Sequence, residues 1–319
     1  MDREHGAIVA MGATLVGTQV AAILLSGIFS AFQLQAFQEP QDPTNALVYF
    51  VMILVFTGVI LALVKLRRRN FAKYVILGSV FLTLAFILLV PIYVSLVLLR
   101  EDVFNTDFGG NVAVLLSFAV AGGLTTLLVK YPEWYVVDAI GLVVAAGVTA
   151  IMGISFGILP ALLLLVGLAG YDAWAVYRTK HMVTLADELT SQRLPVLLVI
   201  PKRAGYSFRK QKSLKEEIAQ GEDREAMFIG LGDLIIPGVL SVSAFPFLTA
   251  PGRVIAGLEP NIMVALATLV GTVVGFTILM RFVLGGNPQA GLPLLNGGAI
   301  AGFFAAHVAV YGSLTAGFL

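Results

Sequence analysis

The sequence predicts an all-α integral membrane protein of nine transmembrane helices, with a cytoplasmic N-terminus and an extracytoplasmic C-terminus. Three observations carry this. Of 319 residues, 58% are hydrophobic and 12% charged, against about 45–50% and about 25% in soluble domains; mean hydropathy is +0.93. No soluble core hides that much apolar surface, so the solvent is lipid. Nine separate apolar runs reach the roughly 20 residues that a hydrocarbon core of about 30 Å requires. Finally, Lys and Arg crowd into alternate connections.

In order, the runs are 7–29, 46–66, 74–99, 110–129, 134–152, 155–177, 226–248, 260–283 and 290–312. The first is not a removable signal peptide: Asp2-Arg3-Glu4-His5 lacks a positive n-region, and the run outlasts an h-region. Between the second and third runs lie Lys65, Arg67, Arg68, Arg69 and Lys73, and ten more basic residues lie between Arg178 and Arg224. With both connections in the cytoplasm, 18 of 20 basic residues are inside, and only Arg100 and Arg253 are left outside. Glu39, Asp42, Glu101, Asp102, Asp107 and Glu259 mark the outer loops. An odd span count then sets the two termini on opposite sides.

The chain reads as one membrane domain, 1–319, interrupted by a long charged cytoplasmic loop, 178–225, that holds 17 of the 39 charged residues. Inside that loop, Leu194–Pro201 is β-prone, bounded by prolines and too short to span, so it is expected as an interfacial piece or an edge strand. Tyr206–Gly221 is polar and Lys-rich, the composition of a mobile segment. No fixed-period repeat and no inverted halves of the transporter kind are legible.

Composition also excludes functions. Twenty Lys+Arg against 19 Asp+Glu leave no basic excess to hold phosphates, so nucleic acid is not a partner. Zero Cys removes thiolate nucleophiles and Cys-based metal sites, and His5, His181 and His307 are scattered without an HExxH. No metal or cofactor is expected.

Ionisable groups within spans are expensive and mark function. Three carboxyls qualify: Asp138, Asp172 and Asp233. Asp172 lies six residues before Arg178 and Asp233 eight after Glu225, roughly 9 and 12 Å below the same face at helical rise. On sequential antiparallel spans the two can meet. Two carboxyls in a poorly solvated site cannot both ionise comfortably, so such a pair holds one proton between them. That suits hydrolysis by activated water, one carboxylate taking its proton while the other acid hydrogen-bonds the carbonyl oxygen. Depth alone leaves two rivals: a proton or ion relay in a transporter or leak channel, and acids paired with interhelical donors.

Context discriminates. Asp172 ends Gly170-Tyr171-Asp172, Asp233 ends Gly230-Leu231-Gly232-Asp233, and Ala290-Gly291-Leu292-Pro293 opens the ninth run. The combination resembles the presenilin and signal peptide peptidase family of intramembrane aspartyl proteases, with its Tyr-Asp, Gly-x-Gly-Asp and Pro-Ala-Leu motifs in the sixth, seventh and ninth spans. Tyr171 through Val176, Lys180-His181-Met182 and Gly230 through Val239 are similar to presenilin stretches. The resemblance implies Asp172 and Asp233 as catalytic, a presenilin-like orientation, and a prokaryotic or archaeal homologue in the cell membrane. It also implies that Leu292 and Pro293 border the aspartates. One departure is Ala290 where the family has proline.

Substrates would then be membrane-spanning peptides or proteins, with the bilayer as the other partner; accessory subunits, as in the γ-secretase complex, are not required by this sequence. Cleaving a helix requires local unwinding, and Leu194–Pro201 is expected to pair with the unwound strand by edge addition. The remaining expectations are narrower. Gly230 and Gly232 allow close backbone approach or serve packing, while Leu231 rides between them. Tyr171 is either a core aromatic or a wall of the site. Pro293 gives up a donor that a helix start leaves unpaired anyway. Asp138 matches no motif and reads as a polar helix-end contact. His307 reads as a satisfied interhelical histidine. Pro237 and Pro246 should bend the seventh span. Gly271-x-x-x-Gly275 and Gly298-x-x-x-Gly302 are packing signals, within the bundle or between copies in a homo-oligomer. A catalytically idle scaffold is the last alternative.

Overall fold

The computed structural model describes residues 2–66, 69–179, 196–203, 205–210, 225–254, 257–284, 289–315 and 318. Among these, helices α1 (Asp2–Ala31), α2 (Thr44–Lys65), α3 (Arg69–Leu99), α4 (Glu101–Phe104), α5 (Asp107–Lys130), α6 (Trp134–Ser155) and α7 (Ile158–Trp174) precede the long loop. After it come α8 (Leu231–Phe247), α9 (Pro260–Leu284) and α10 (Gly291–Tyr311). Eight of the described helices are long and apolar enough to cross a membrane, α7 being counted with the turn that carries it on to Arg178; α8, at 17 residues, is shorter. The expected Lys180-His181-Met182 likeness and most of the Lys-rich stretch expected at Tyr206–Gly221, from residue 211 on, lie outside the described residues.

The helical architecture stands, and the seventh apolar run needs one correction. Leu197–Pro201 forms strand β1 and Ala226–Gly230 forms strand β2, paired antiparallel with Val199 opposite Phe228. The apolar run at 226–248 is therefore not one helix: its first five residues are strand, and the helix begins at Leu231. Continuous short apolar stretches do not reveal by periodicity whether they are strand or helix. Of the β-prone segment at 194–201, Leu197–Pro201 is a strand, and its partner is β2 of the same chain.

Helix ends find partners in the connections. Where α1 turns outward, the Ala36 N–H donates to Ser155 Oγ at 2.7 Å and the Gly157 N–H donates to the Pro40 carbonyl at 2.7 Å. Phe156 packs edge-on against Phe37 and Tyr49 with centroids 5.3 and 5.5 Å away. The α1–α2 connection is thus fastened over the α6–α7 turn. Thr106 Oγ1 accepts the Gly109 N–H as N-cap of α5.

α9 and α10 pack backbone to backbone. A Cβ on Gly271 would strike the Gly298 carbonyl, one on Gly275 the Leu294 carbonyl, and one on Gly302 the Ala267 carbonyl. Both expected Gly-x-x-x-Gly signals are consumed by this intramolecular interface. His307 is fully buried at the far end of α10: Nδ1 lies 2.7 Å from the Ser313 carbonyl, and the ring stacks on Phe303. The carbonyl it meets comes from the segment that follows its own helix. Pro237 and Pro246 both lie inside α8. Pro237 supplies no N–H to the Asp233 carbonyl four residues earlier.

Candidate active site

The Gly-Leu-Gly-Asp stretch folds as a strand-to-helix junction. Gly230 ends β2 and is the N-cap of α8, in extended conformation, and Asp233 is the third helical residue. From that position its carboxyl reaches back to accept the Gly230 N–H, the reciprocal bond by which a side chain three residues in satisfies an N-cap donor. Leu231, first in the helix, donates its N–H to the Val196 carbonyl at 3.0 Å beside β1. The sheet therefore caps α8.

Tyr171-Asp172 sits in the last turn of α7, and the chain continues through a π-helical turn over Ala175–Thr179. Asp172 is 5% exposed. Its Oδ2 accepts the Leu292 N–H at 3.1 Å, and its carboxyl also takes the Gly291 N–H. These are the first two residues of α10, whose N–H groups have no partner within the helix. The third, Pro293, has no N–H, so the opening of the ninth predicted span is satisfied by Asp172 and by proline chemistry together.

Gly291 joins the two acids. A Cβ built there would lie 3.0 Å from Asp233 Oδ1 and 3.2 Å from its Cγ. One backbone unit, Gly291-Leu292, thus donates to one carboxyl and makes room for the other by carrying no side chain at Gly291. Asp233 is half-buried.

The other predicted residues divide. Gly230 has the Asp233 Oδ2 3.3 Å from a notional Cβ, and Gly232 has nothing within 4 Å, so both keep the approach to Asp233 open. Leu231 is buried, with Cδ2 3.4 Å from a Cβ on Gly141, and anchors the junction to α6. The Tyr171 ring packs edge-on against Phe50 at 6.2 Å and tilts against Trp174 at 6.3 Å, a half-buried aromatic at the α2–α7 contact. Leu292 and Pro293 are half-buried beside Asp172.

Other polar contacts hold the site and escaped the sequence reading. Asn296, fully buried one turn beyond Leu292, donates from Nδ2 to the Leu165 carbonyl at 2.8 Å and pins α10 to α7. The Tyr177 hydroxyl donates to Gln289 Oε1 at 2.8 Å and ties the π-helical turn after α7 to the chain just before α10, at the surface. An uncharged Asn within an apolar run was the available signal. Asp138 is a polar contact, as expected, but its partner is the Val199 N–H of β1, at 2.8 Å. Among the described residues no group of three or more His, Cys, Asp or Glu side chains could hold a metal ion.

Residues 12–311 match the family model for signal-peptide peptidase, presenilin aspartyl protease. The chain is similar to a presenilin family intramembrane aspartate protease solved in two crystal forms. The structure in space group C222 is 34% identical with a TM-score of 0.64, over 95% of this chain and 99% of that one. The structure in space group P2 is 35% identical with a TM-score of 0.61, over 94% and 97%. No curated protein matches the chain.

Proposed function

This chain belongs to the signal-peptide peptidase and presenilin family of aspartyl proteases, and we propose that Asp172 and Asp233 are its catalytic dyad. It is an integral, multi-pass membrane protein and an intramembrane aspartic endopeptidase that hydrolyses peptide bonds of membrane-embedded substrates with paired aspartates and activated water. The observation that carries the residue assignment is the Gly291-Leu292 backbone, bonded to Asp172 and so near Asp233 that a side chain on Gly291 would meet its carboxyl.

In this reading one carboxylate takes the proton of a water molecule as it attacks the scissile carbonyl. The other acid, protonated, hydrogen-bonds the carbonyl oxygen as charge develops there. The roles then exchange as the amine leaves with a proton. Gly230 and Gly232 leave room for substrate backbone beside Asp233. Leu292 and Pro293 border the scissile position, Tyr171 walls the α2 side, and Leu231 holds the junction in place.

The sheet gives the unwound substrate a docking edge. The Leu231 N–H bond to Val196 and the Lys202 N–H bond to Glu225 fix which residues face across the ladder. They turn the N–H and C=O of Val199 to the outer edge of β1, and those of Phe228 to the outer edge of β2. With the Val199 N–H taken by Asp138, addition to β1 is replaced by addition to β2, two residues before Gly230.

The membrane arrangement follows the basic residues: nine spans with α8 as the seventh, one membrane unit over 1–319, and the 178–225 loop in the cytoplasm with the N-terminus. This places the dyad near the cytoplasmic face of a prokaryotic cell membrane. Homo-oligomers and accessory subunits are not needed by the chemistry.

The test incubates purified protein with a model single-span peptide, wild type beside Asp172→Asn and Asp233→Asn. Loss of hydrolysis in both folded variants is expected, and turnover by either removes that residue from the dyad.

A further inference from the structure

α6 carries two carboxylates at its cytoplasmic end, and both reach backbone of the long loop. Glu133, the N-cap residue, accepts the Ser207 hydroxyl at 2.8 Å and the Phe208 N–H at 3.1 Å. One turn further on, Asp138 Oδ1 accepts the Val199 N–H at 2.8 Å. Phe208 and Val199 are both buried, and Lys202 pairs with Glu4 of α1 at 2.6 Å. The β1 segment is therefore docked on the bundle at several points. Only the Asp138 contact falls within a strand.

A strand edge normally presents alternate N–H groups for pairing. Val199 is the middle residue of β1, and its outward N–H is the central one through which another strand would join, with Leu197 the outward position before it. Pro201, the next outward position, has no N–H to offer, which suits a proline at a sheet edge. One carboxylate and one proline thus leave no free N–H at the two outward positions from Val199 to the end of the strand. From β1 the constraint runs on by backbone bonds already described. Val196 caps the first residue of α8, β1 pairs with β2, and Gly230 at the end of β2 is bonded to Asp233.

We infer that Asp138 is a positioning residue for proteolysis: by occupying the outward N–H in the middle of β1 it fixes the sheet that sets Asp233 and directs an added substrate strand to the β2 edge. This deepens the dyad reading and rests on it. Asp138 touches neither the dyad nor the substrate, so its effect is transmitted through strand register. What matters is an acceptor oxygen at that point. The asparagine amide supplies one without charge, whereas alanine and leucine supply none.

The experiment compares wild type, Asp138→Asn, Asp138→Ala, Val199→Pro and the Asp138→Ala/Val199→Pro double variant on a single-span peptide. It reads kcat, KM and the positions cleaved by mass spectrometry, with Asp233→Asn as a control. Asp138→Asn should stay within about twofold of wild type and cut at the same bonds. Asp138→Ala should lose about tenfold in kcat, the scale of a sub-ångström displacement of reacting groups, and spread its cuts over neighbouring bonds. Val199→Pro removes the donor and leaves the acid, so it should spread the cuts likewise, with the double variant no worse than the poorer single. A purely stabilising contact would lower the yield of folded enzyme but leave cleavage positions unchanged. Wild-type cleavage positions and kcat in Asp138→Ala and Val199→Pro overturn the inference, as does Asp138→Asn failing as badly as Asp138→Ala. Either result with an inactive Asp233→Asn control sinks this inference alone; an active control sinks the dyad.

Discussion

The Leu292 N–H donates to Asp172 Oδ2 across 3.1 Å, so an acid from α7 serves as the N-terminal cap of α10, a helix it is not part of. This joins structure to chemistry in one residue. The resulting prediction separates them. Asn caps as well as Asp, while Ala costs about 0.5–2 kcal/mol. Asp172→Asn should lose hydrolysis by about 1,000-fold or more and unfold at the wild-type temperature. Asp172→Ala should be equally inactive and measurably less stable by thermal unfolding in detergent. Equal stability of the two variants would show that the cap contributes nothing.

Gly291 stands where any side chain meets the other acid. A methyl there lies 3.0 Å from Asp233 Oδ1, so the carboxyl must give by a few tenths of an ångström. A misplacement of about 1 Å costs roughly 100-fold. Gly291→Ala is accordingly expected to lower kcat about two- to tenfold, and Gly291→Val to abolish turnover while the protein stays folded. Full activity in Gly291→Val would mean that Asp233 works from a different position.

The legibility of this site differs residue by residue. Asp172, Asp233 and the opening of α10 stood out because their residue types and order form a specific pattern, and the structure brings them to one place. The Gly-x-x-x-Gly pairs were legible as packing because only backbone hydrogens permit such approach. What was not legible were partners that are backbone. Nothing in the letters Val199 or Leu292 says that their N–H groups seek a carboxylate, so Asp138 looked like a helix-end acid and Leu292 like a neighbour by resemblance only. β2 was absorbed into the seventh span because Ala226–Gly230 continues the apolar run of α8 without a break, and its partner strand lies across the whole long loop. The short α4 helix went unread for the opposite reason: four residues carry no period.

Gly302 and Gly297 make a matched pair on α10. A Cβ on Gly302 collides with the Ala267 carbonyl, whereas one on Gly297 meets nothing within 4 Å. The obstacle is backbone, so α10 itself must move. Gly302→Ala is expected to destabilise the protein by about 1–3 kcal/mol, the cost of overpacking, and to reduce hydrolysis by shifting Gly291 and Leu292 from the acids. Gly297→Ala should keep full activity and gain as much as about 1 kcal/mol from helix propensity. Thermal unfolding and turnover measured on both variants decide it; identical behaviour of the two would place the α9–α10 contact elsewhere.

Phe228 tests the docking edge. Its N–H and C=O face away from β1, so proline there removes the outward donor and spares the ladder, whereas proline at Ile229 removes a ladder donor. The Phe228 ring also tilts against Phe208 at 6.3 Å, and Phe228→Ala, which keeps the N–H, isolates that contact. If an extended substrate adds to β2, Phe228→Pro should raise KM about tenfold, the value of one hydrogen bond to substrate at about 0.5–1.5 kcal/mol plus the steric cost of the ring. Phe228→Ala should change KM by less than about threefold. Ile229→Pro should cut kcat as well, because the sheet that caps α8 comes apart. A KM for Phe228→Pro no higher than that of Phe228→Ala would mean that the substrate does not read this edge, and recognition would then have to come from side-chain contacts beside Gly230 and Leu292.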